Sequence, residues 1–161
     1  MDTLNLSDDH YNSIAKRLST LHYETGAQCI LLVDIFGNLI TKVGLAGELD
    51  VTNLISLLAG GFSTTFEMAK YLGEQEAFNL NYHEGSAYDI YTANLGEKLF
   101  LTLIFDRRIQ SSRIGMVWLY IKRTIRELEN IISASEGVKS KQVFDSEFSS
   151  SLSDKLDNLF D

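Results

Sequence analysis

Between Asp50 and Gly73 the chain, DVTNLISLLAGGFSTTFEMAKYLG, carries two apolar stripes where a surface helix needs one. Val51, Leu54, Ile55, Leu58, Phe62, Phe66, Ala69 and Leu72 recur at the short steps of a helix that lays one face on a core. Beside them Leu57, Gly61, Thr64, Met68 and Tyr71 step by four, three, four and three, the spacing of a helix–helix seam. Gly60 and Gly61 fall mid-helix, where each costs ~1 kcal/mol relative to Ala, and the usual compensation is close approach by another backbone. The pattern therefore predicts one unbroken helix, lying on a sheet and apposed to a second copy of itself. The alternative is a break at Gly60 and an accidental seam.

The flanking segments supply the sheet. Ser7 or Asp8 can cap a first helix with Tyr11, Ile14, Ala15, Leu18 and Leu21 on its core face and Gly26 as its stop. Cys29 to Val33 is apolar without alternation, as in a strand covered on both faces, and Asp34 to Asn38 turns it into Leu39 to Val43. After Gly73 the period becomes two: Phe78, Leu80 and Tyr82 alternate with Asn79, Asn81 and His83. Glu84-Gly85 leads into Tyr88 to Ala93, Asn94-Leu95-Gly96 turns again, and the apolar run Leu99 to Phe105 belongs next to the Cys29 strand. A last helix from Ser111 or Ser112 buries Ile114, Val117, Trp118, Ile121, Ile125, Leu128 and Ile132 and leaves Arg113, Lys122, Arg123, Arg126 and Glu129 in water. Central strands apolar on both faces need helices above and below, so the expectation is an α+β three-layer sandwich, a five-stranded antiparallel sheet in the order αββαβββα. If the Phe78 strand is an edge, a twofold dimer can pair two such edges and two such helices at once.

Residues 1–135 read as this domain and 136–161 as an appendix. SASEGVKSKQ has linker composition, and the end of the chain sets Leu152, Leu156, Leu159 and Phe160 opposite Ser153, Asp154, Asp157 and Asp161. Such a segment is short for an isolated helix and should fold by docking into a groove, on its own body or on a partner.

Composition narrows the function. A net charge of -8 argues against a nucleic-acid footprint, which rests on excess Lys and Arg. The single Cys29 lies in the apolar run and reads as a buried thiol, with no disulfide framework. The start of the chain lacks the basic and apolar regions of a secretory signal and no run is long enough to span a bilayer, so a cytoplasmic location without membrane insertion is expected. There is no phosphate-binding G-x-x-x-x-G-K-[ST] stretch and no G-x-S-x-G; His10, His22 and His83 are scattered; Asp34 and Asp106 are explained as turn and loop caps. The reading is a non-enzyme without catalytic residues, metal or cofactor. Arg107, Arg108 and Arg113 precede the last helix, and an arginine offered to another protein's GTP site can raise hydrolysis by ~10³- to 10⁵-fold. A solvated loop that caps Asp106 is the plainer account.

ETGAQCILLVDIFGNLITKVG, the small-residue helix NLISLLAGGFSTTFEMAKYLGE, HEGSAYDIYTANLGEKLFLTLIFD and IGMVWLYIKRTIRELENI together resemble the roadblock/LC7 domain, a profilin-like sandwich, over about residues 10–135. Length and the appended FDSEFSSSLSDKLDNLFD resemble the members that regulate bacterial Ras-like GTPases of gliding motility and cell polarity. The resemblance implies a homodimer through the second helix and third strand, which places Leu57, Gly60, Gly61, Thr64, Met68, Tyr71, Phe78 and Leu80 at the interface. It implies a small Ras-like GTPase of the MglA type as partner, engaged on the helical face and activated by repositioning its own catalytic residues rather than by an inserted arginine. The tail, through Leu152, Leu156, Leu159 and Phe160, would touch the GTPase and influence nucleotide exchange. Arg107, Arg108, Arg123 and Arg126 are the basic positions that could face a partner. The alternative is a roadblock scaffold without effect on hydrolysis; a small-ligand sensor is more remote.

Overall fold

The computed structural model describes residues 6–159, with side chains up to residue 136 and at 151, 154, 155 and 158. Ser7 accepts from the His10 amide and caps α1 (Asp8–Thr25), and Gly26, at φ 71°, closes it with its N–H on the His22 carbonyl. β1 (Cys29–Asp34) and β2 (Leu39–Gly44) form a hairpin, α2 (Val51–Tyr71) follows, and then come β3 (Leu80–Glu84), β4 (Tyr88–Leu95), β5 (Leu99–Asp106) and α3 (Ile114–Leu159). The sheet runs β2-β1-β5-β4-β3, and every pairing is antiparallel.

Alternation along the two central strands divides the core. Ile30, Leu32, Leu101, Leu103 and Phe105 meet Ile14, Leu18 and Leu21 of α1 and Val117, Ile121 and Leu128 of α3. On the other face Cys29, Leu31, Val33, Phe100 and Ile104 meet Ile55, Ala59 and Phe62 of α2, with the Phe62 and Phe100 rings stacked 5.0 Å apart. This is the expected three-layer sandwich in the expected order. Asp50 accepts from the Asn53 amide to start α2, which passes through Gly60 and Gly61 without a break.

Several positions depart from the sequence expectation. Tyr11 lies outside the core, 42% exposed, with its hydroxyl 3.4 Å from Thr41 Oγ1, because the first turns of α1 sit over edge strand β2. Leu72 is exposed, since α2 ends at Tyr71 and Gly73, at φ 85°, turns the chain away. β3 begins at Leu80, so Phe78 precedes the strand and is half-buried. Asn94 and Leu95 extend β4, and the turn falls on the residues that follow. Ile114 is exposed as the first residue of α3; neither Ser111 nor Ser112 caps that helix, and the Arg113 carbonyl accepts its first bond, from the Val117 amide.

The largest difference is α3. Its backbone continues through residues 133–142, which the sequence reads as a linker, to Leu159. The run contains no proline, and a lone Gly137 costs only ~1 kcal/mol in a helix. Among the described side chains, Ile131 and Ile132 are the last on α3 to pack against the core.

Candidate interaction surface

α2 presents one flank to the sheet and leaves the seam row outside. Leu57 is 74%, Met68 53% and Tyr71 96% exposed, in a chain that buries its other apolar stripe. Between them, a Cβ added to Gly60 or Gly61 would meet nothing within 4 Å. Nothing among the described residues therefore requires glycine at either place. Thr64 is exposed and returns its hydroxyl to the Gly60 carbonyl at 2.9 Å, which satisfies its polar group within the helix. The opposite flank is polar: Ser56, Ser63, Glu67 and Lys70 are exposed, and Glu67 and Lys70 pair at 3.2 Å.

β3 follows α2 through residues 72–79 and, among the described residues, pairs only with β4, so that its outer edge there carries free backbone donors and acceptors. Leu80 is half-buried on the α1/α3 side, with Tyr82 beside it. The structure thus brings the seam of α2 and an open strand edge into consecutive elements, with Phe78 between them.

The arginines expected near a partner are differently placed. Arg107 Nη1 donates to Glu84 Oε1 at 2.9 Å, the Gly85 carbonyl at 2.7 Å and Asp89 Oδ1 at 3.3 Å. Arg108 grips Asp106 through Nε and Nη2 at 2.9 and 2.8 Å and reaches the Tyr88 hydroxyl at 2.8 Å. The hydrogen bonds from Arg108 hold the Asp106 carboxyl below the usual carboxylate range, and Asp106 in turn raises the guanidinium. Either arginine would have to surrender these partners to act elsewhere. On α3, Arg123 lies 5.9 Å over the Tyr120 ring, and Arg126 is exposed. Phe160, and the side chains of Leu152, Leu156 and Leu159, lie outside the described residues.

Asp34 and Asp106 end antiparallel neighbours and so sit at opposite ends of the sheet. Asp34 accepts from the Phe36 and Asn38 amides, as a turn cap does. Cys29 is buried and unbridged. Among the described residues no group of three His, Cys, Asp or Glu side chains is assembled to hold a metal ion, and no helix is long and apolar enough to cross a membrane.

No protein-family profile matches the chain, and no curated protein does. Solved structures do. MglB of Myxococcus xanthus is 31% identical, with a TM-score of 0.72 over 81% of this chain and 95% of that one. The gliding protein MglB of Thermus thermophilus is 28% identical, with a TM-score of 0.73 over 83% and 98%. A structure described as MglB with tetrameric arrangement is 28% identical, with a TM-score of 0.73 over 84% and 98%. The chain belongs to the MglB family.

MglB-family membership agrees with the αββαβββα sandwich, which is the roadblock/LC7 architecture. What the sequence did not disclose in this MglB-like body is a polar cluster at one end of the sheet. Tyr91 donates to Ser112 Oγ at 2.9 Å, and Ser112 donates to the buried Asp89 at 2.8 Å. The one signal was Asp89, a carboxylate in a strand otherwise rich in apolar and aromatic residues. Burial is the chief cause pushing the Tyr91 phenol above its ordinary range, and burial does the same to Tyr82 and to the Cys29 thiol.

These shifts fix a pH dependence. Raised phenol and thiol values mean that the folded state holds the neutral forms; the stabilisation is complete below the ordinary values, about pH 8.5 for a thiol and about pH 10 for a phenol, and is lost as pH rises past them through the higher folded values. The thermal midpoint should fall in that alkaline window, and Tyr91→Phe should make the fall shallower. An unchanged slope in the variant would remove Tyr91 from the account. On the acid side the lowered Asp106 contributes above about pH 4 and is lost below it.

Proposed function

We propose that this protein is a homodimeric regulator of a small Ras-like GTPase of the MglA type, which it activates by binding and repositioning the switch region. Residues 1–135 form the dimerising roadblock body, and residues 136–161 contribute to GTPase contact or nucleotide exchange. The observation that carries the reading is the pair Gly60 and Gly61 on the exposed seam of an unbroken α2. Each costs ~1 kcal/mol of helix stability and meets nothing among the described residues, which a closely apposed second helix explains. Family membership supports the same reading.

In the dimer the apolar row closes against its twin and the β3 edges pair, leaving the polar flanks of the two α2 helices as the helical face offered to the GTPase. Activation then comes from differential affinity: the dimer binds the hydrolysis-competent arrangement of the switch region better than the others and shifts the population toward it. Arg107 and Arg108 support this route over a donated arginine, because both are engaged at home.

The test is phosphate release under single-turnover conditions by an MglA-type GTPase, with and without this protein. A rise of about tenfold or more is expected, well short of the ~10³- to 10⁵-fold effect of an inserted arginine. Arg108→Ala should retain most of that rise. Binding with an unchanged rate would instead make the protein a scaffold.

A further inference from the structure

Asp89 is a buried carboxylate on β4, 2% exposed, and a charge in that position is expensive unless it is paired and hydrogen-bonded. Its partners come from different parts of the fold. Arg107, just after β5, reaches Oδ1 at 3.3 Å, and the same Nη1 holds Glu84 at the end of β3 and the Gly85 carbonyl in the turn beyond it. Ser112, two residues before α3, donates to Oδ2 at 2.8 Å while accepting from Tyr91 at 2.9 Å. The Tyr91 ring packs on Tyr82, in the middle of β3, at 4.7 Å between centroids. The end of the open edge strand and the start of the longest helix are thus joined through one carboxylate and one hydroxyl.

We propose that Asp89 and Ser112 are positioning residues that couple the β3 edge to the orientation of α3, so that pairing of that edge is transmitted to the helix continuing into the tail. This rests on the dimer reading above and adds how the edge and the tail communicate. If β3 shifts, Glu84 and Gly85 move with it, Arg107 follows, and Asp89 is left to Ser112 alone. If the start of α3 swings away, Ser112 leaves Asp89, and the carboxylate pulls Arg107 from the β3 turn. A half-satisfied buried carboxylate is unfavourable in both cases, so the two elements prefer to be ordered together.

The test uses the full chain and three variants, Ser112→Ala, Ser112→Thr and Ser111→Ala, the last at the exposed neighbouring serine. Dimer dissociation constants come from sedimentation across a dilution series, and amide deuterium uptake is read in residues 80–84 and in the first turns of α3. Ser112→Ala should weaken the dimer by about tenfold and increase uptake in residues 80–84, since the hydroxyl that holds Asp89 also lies beside the Tyr82 phenol of β3. Ser112→Thr, which keeps the hydroxyl, should restore both, and Ser111→Ala should change neither. A dimer of unaltered affinity, with extra uptake confined to the first turn of α3, would overturn the coupling while leaving the dimer reading intact. A natural chain that stays monomeric at every concentration would overturn both.

Discussion

Replacing Gly61 with leucine should turn the protein into a monomer without unfolding it. The two halves of that expectation have separate physical sources. Within one chain a Cβ at residue 61 meets nothing within 4 Å, and leucine is a better helix former than glycine by ~1 kcal/mol, so the isolated fold should be at least as heat-stable as before. In an apposed pair of helices the same side chain would stand where the partner backbone approaches. Separating the axes forfeits the contacts of Leu57, Met68 and Tyr71 together, a loss on the scale of an interface hot spot, about 2 kcal/mol or more, and hence at least about thirtyfold in dissociation constant. Mass by light scattering, measured alongside the thermal midpoint, separates the two halves. Unchanged mass in a folded variant would remove the α2 seam from the interface.

Ending the chain after Ser135 should leave a folded dimer with impaired handling of its GTPase. The described core contacts of α3 finish at Ile132, so the shortened helix keeps every described contact with α1 and the sheet. What it loses is the segment bearing Leu152, Leu156, Leu159 and Phe160, whose spacing suits a helix laid in a groove. Losing several apolar anchors of this kind typically costs about 2 kcal/mol or more, so affinity for the GTPase should drop about thirtyfold, or the exchange rate of bound nucleotide should change by a comparable factor. Leu152→Asp with Leu156→Asp in the full chain should reproduce the effect without shortening the helix. Equal affinity and equal exchange for the shortened and full chains would leave the tail without the assigned role.

How far the sequence disclosed this molecule depended on whether a signal was periodic. The central place of β1 and β5 follows from Cys29–Val33 and Leu99–Phe105 being apolar without alternation, and the two stripes of α2 are found as an inward row, Leu72 excepted, and an exposed one. Positions at element ends were less legible. Leu72 continues the buried stripe in register, but helical geometry stops one residue earlier. Ser112 looked like a helix cap, and its hydroxyl is instead taken by Asp89, a partner 23 residues away that no local pattern could announce. Arg107 belongs to the same class: as part of a basic run it reads as solvated, and its partners Glu84 and Asp89 come from the neighbouring hairpin. Residues 133–142 misled for another reason. Their Ser, Gly and Lys content is that of a linker, yet nothing in it forbids a helix, and an established α3 extends at low cost once the nucleus is supplied by the body.

That extension changes how the end of the chain finds anything. From Ile132 to Leu159 the helix is about 40 Å long at about 1.5 Å per residue, more than the whole of α1. A cord of the same composition would sweep a sphere; a rod has a bearing. Its reach is set by residue number and its azimuth by the roughly 100° turned at each residue. Homologues that gain or lose a single position in this stretch would aim their last apolar residues at a different quarter of the compass, whereas a change of about seven would alter range and nearly preserve direction.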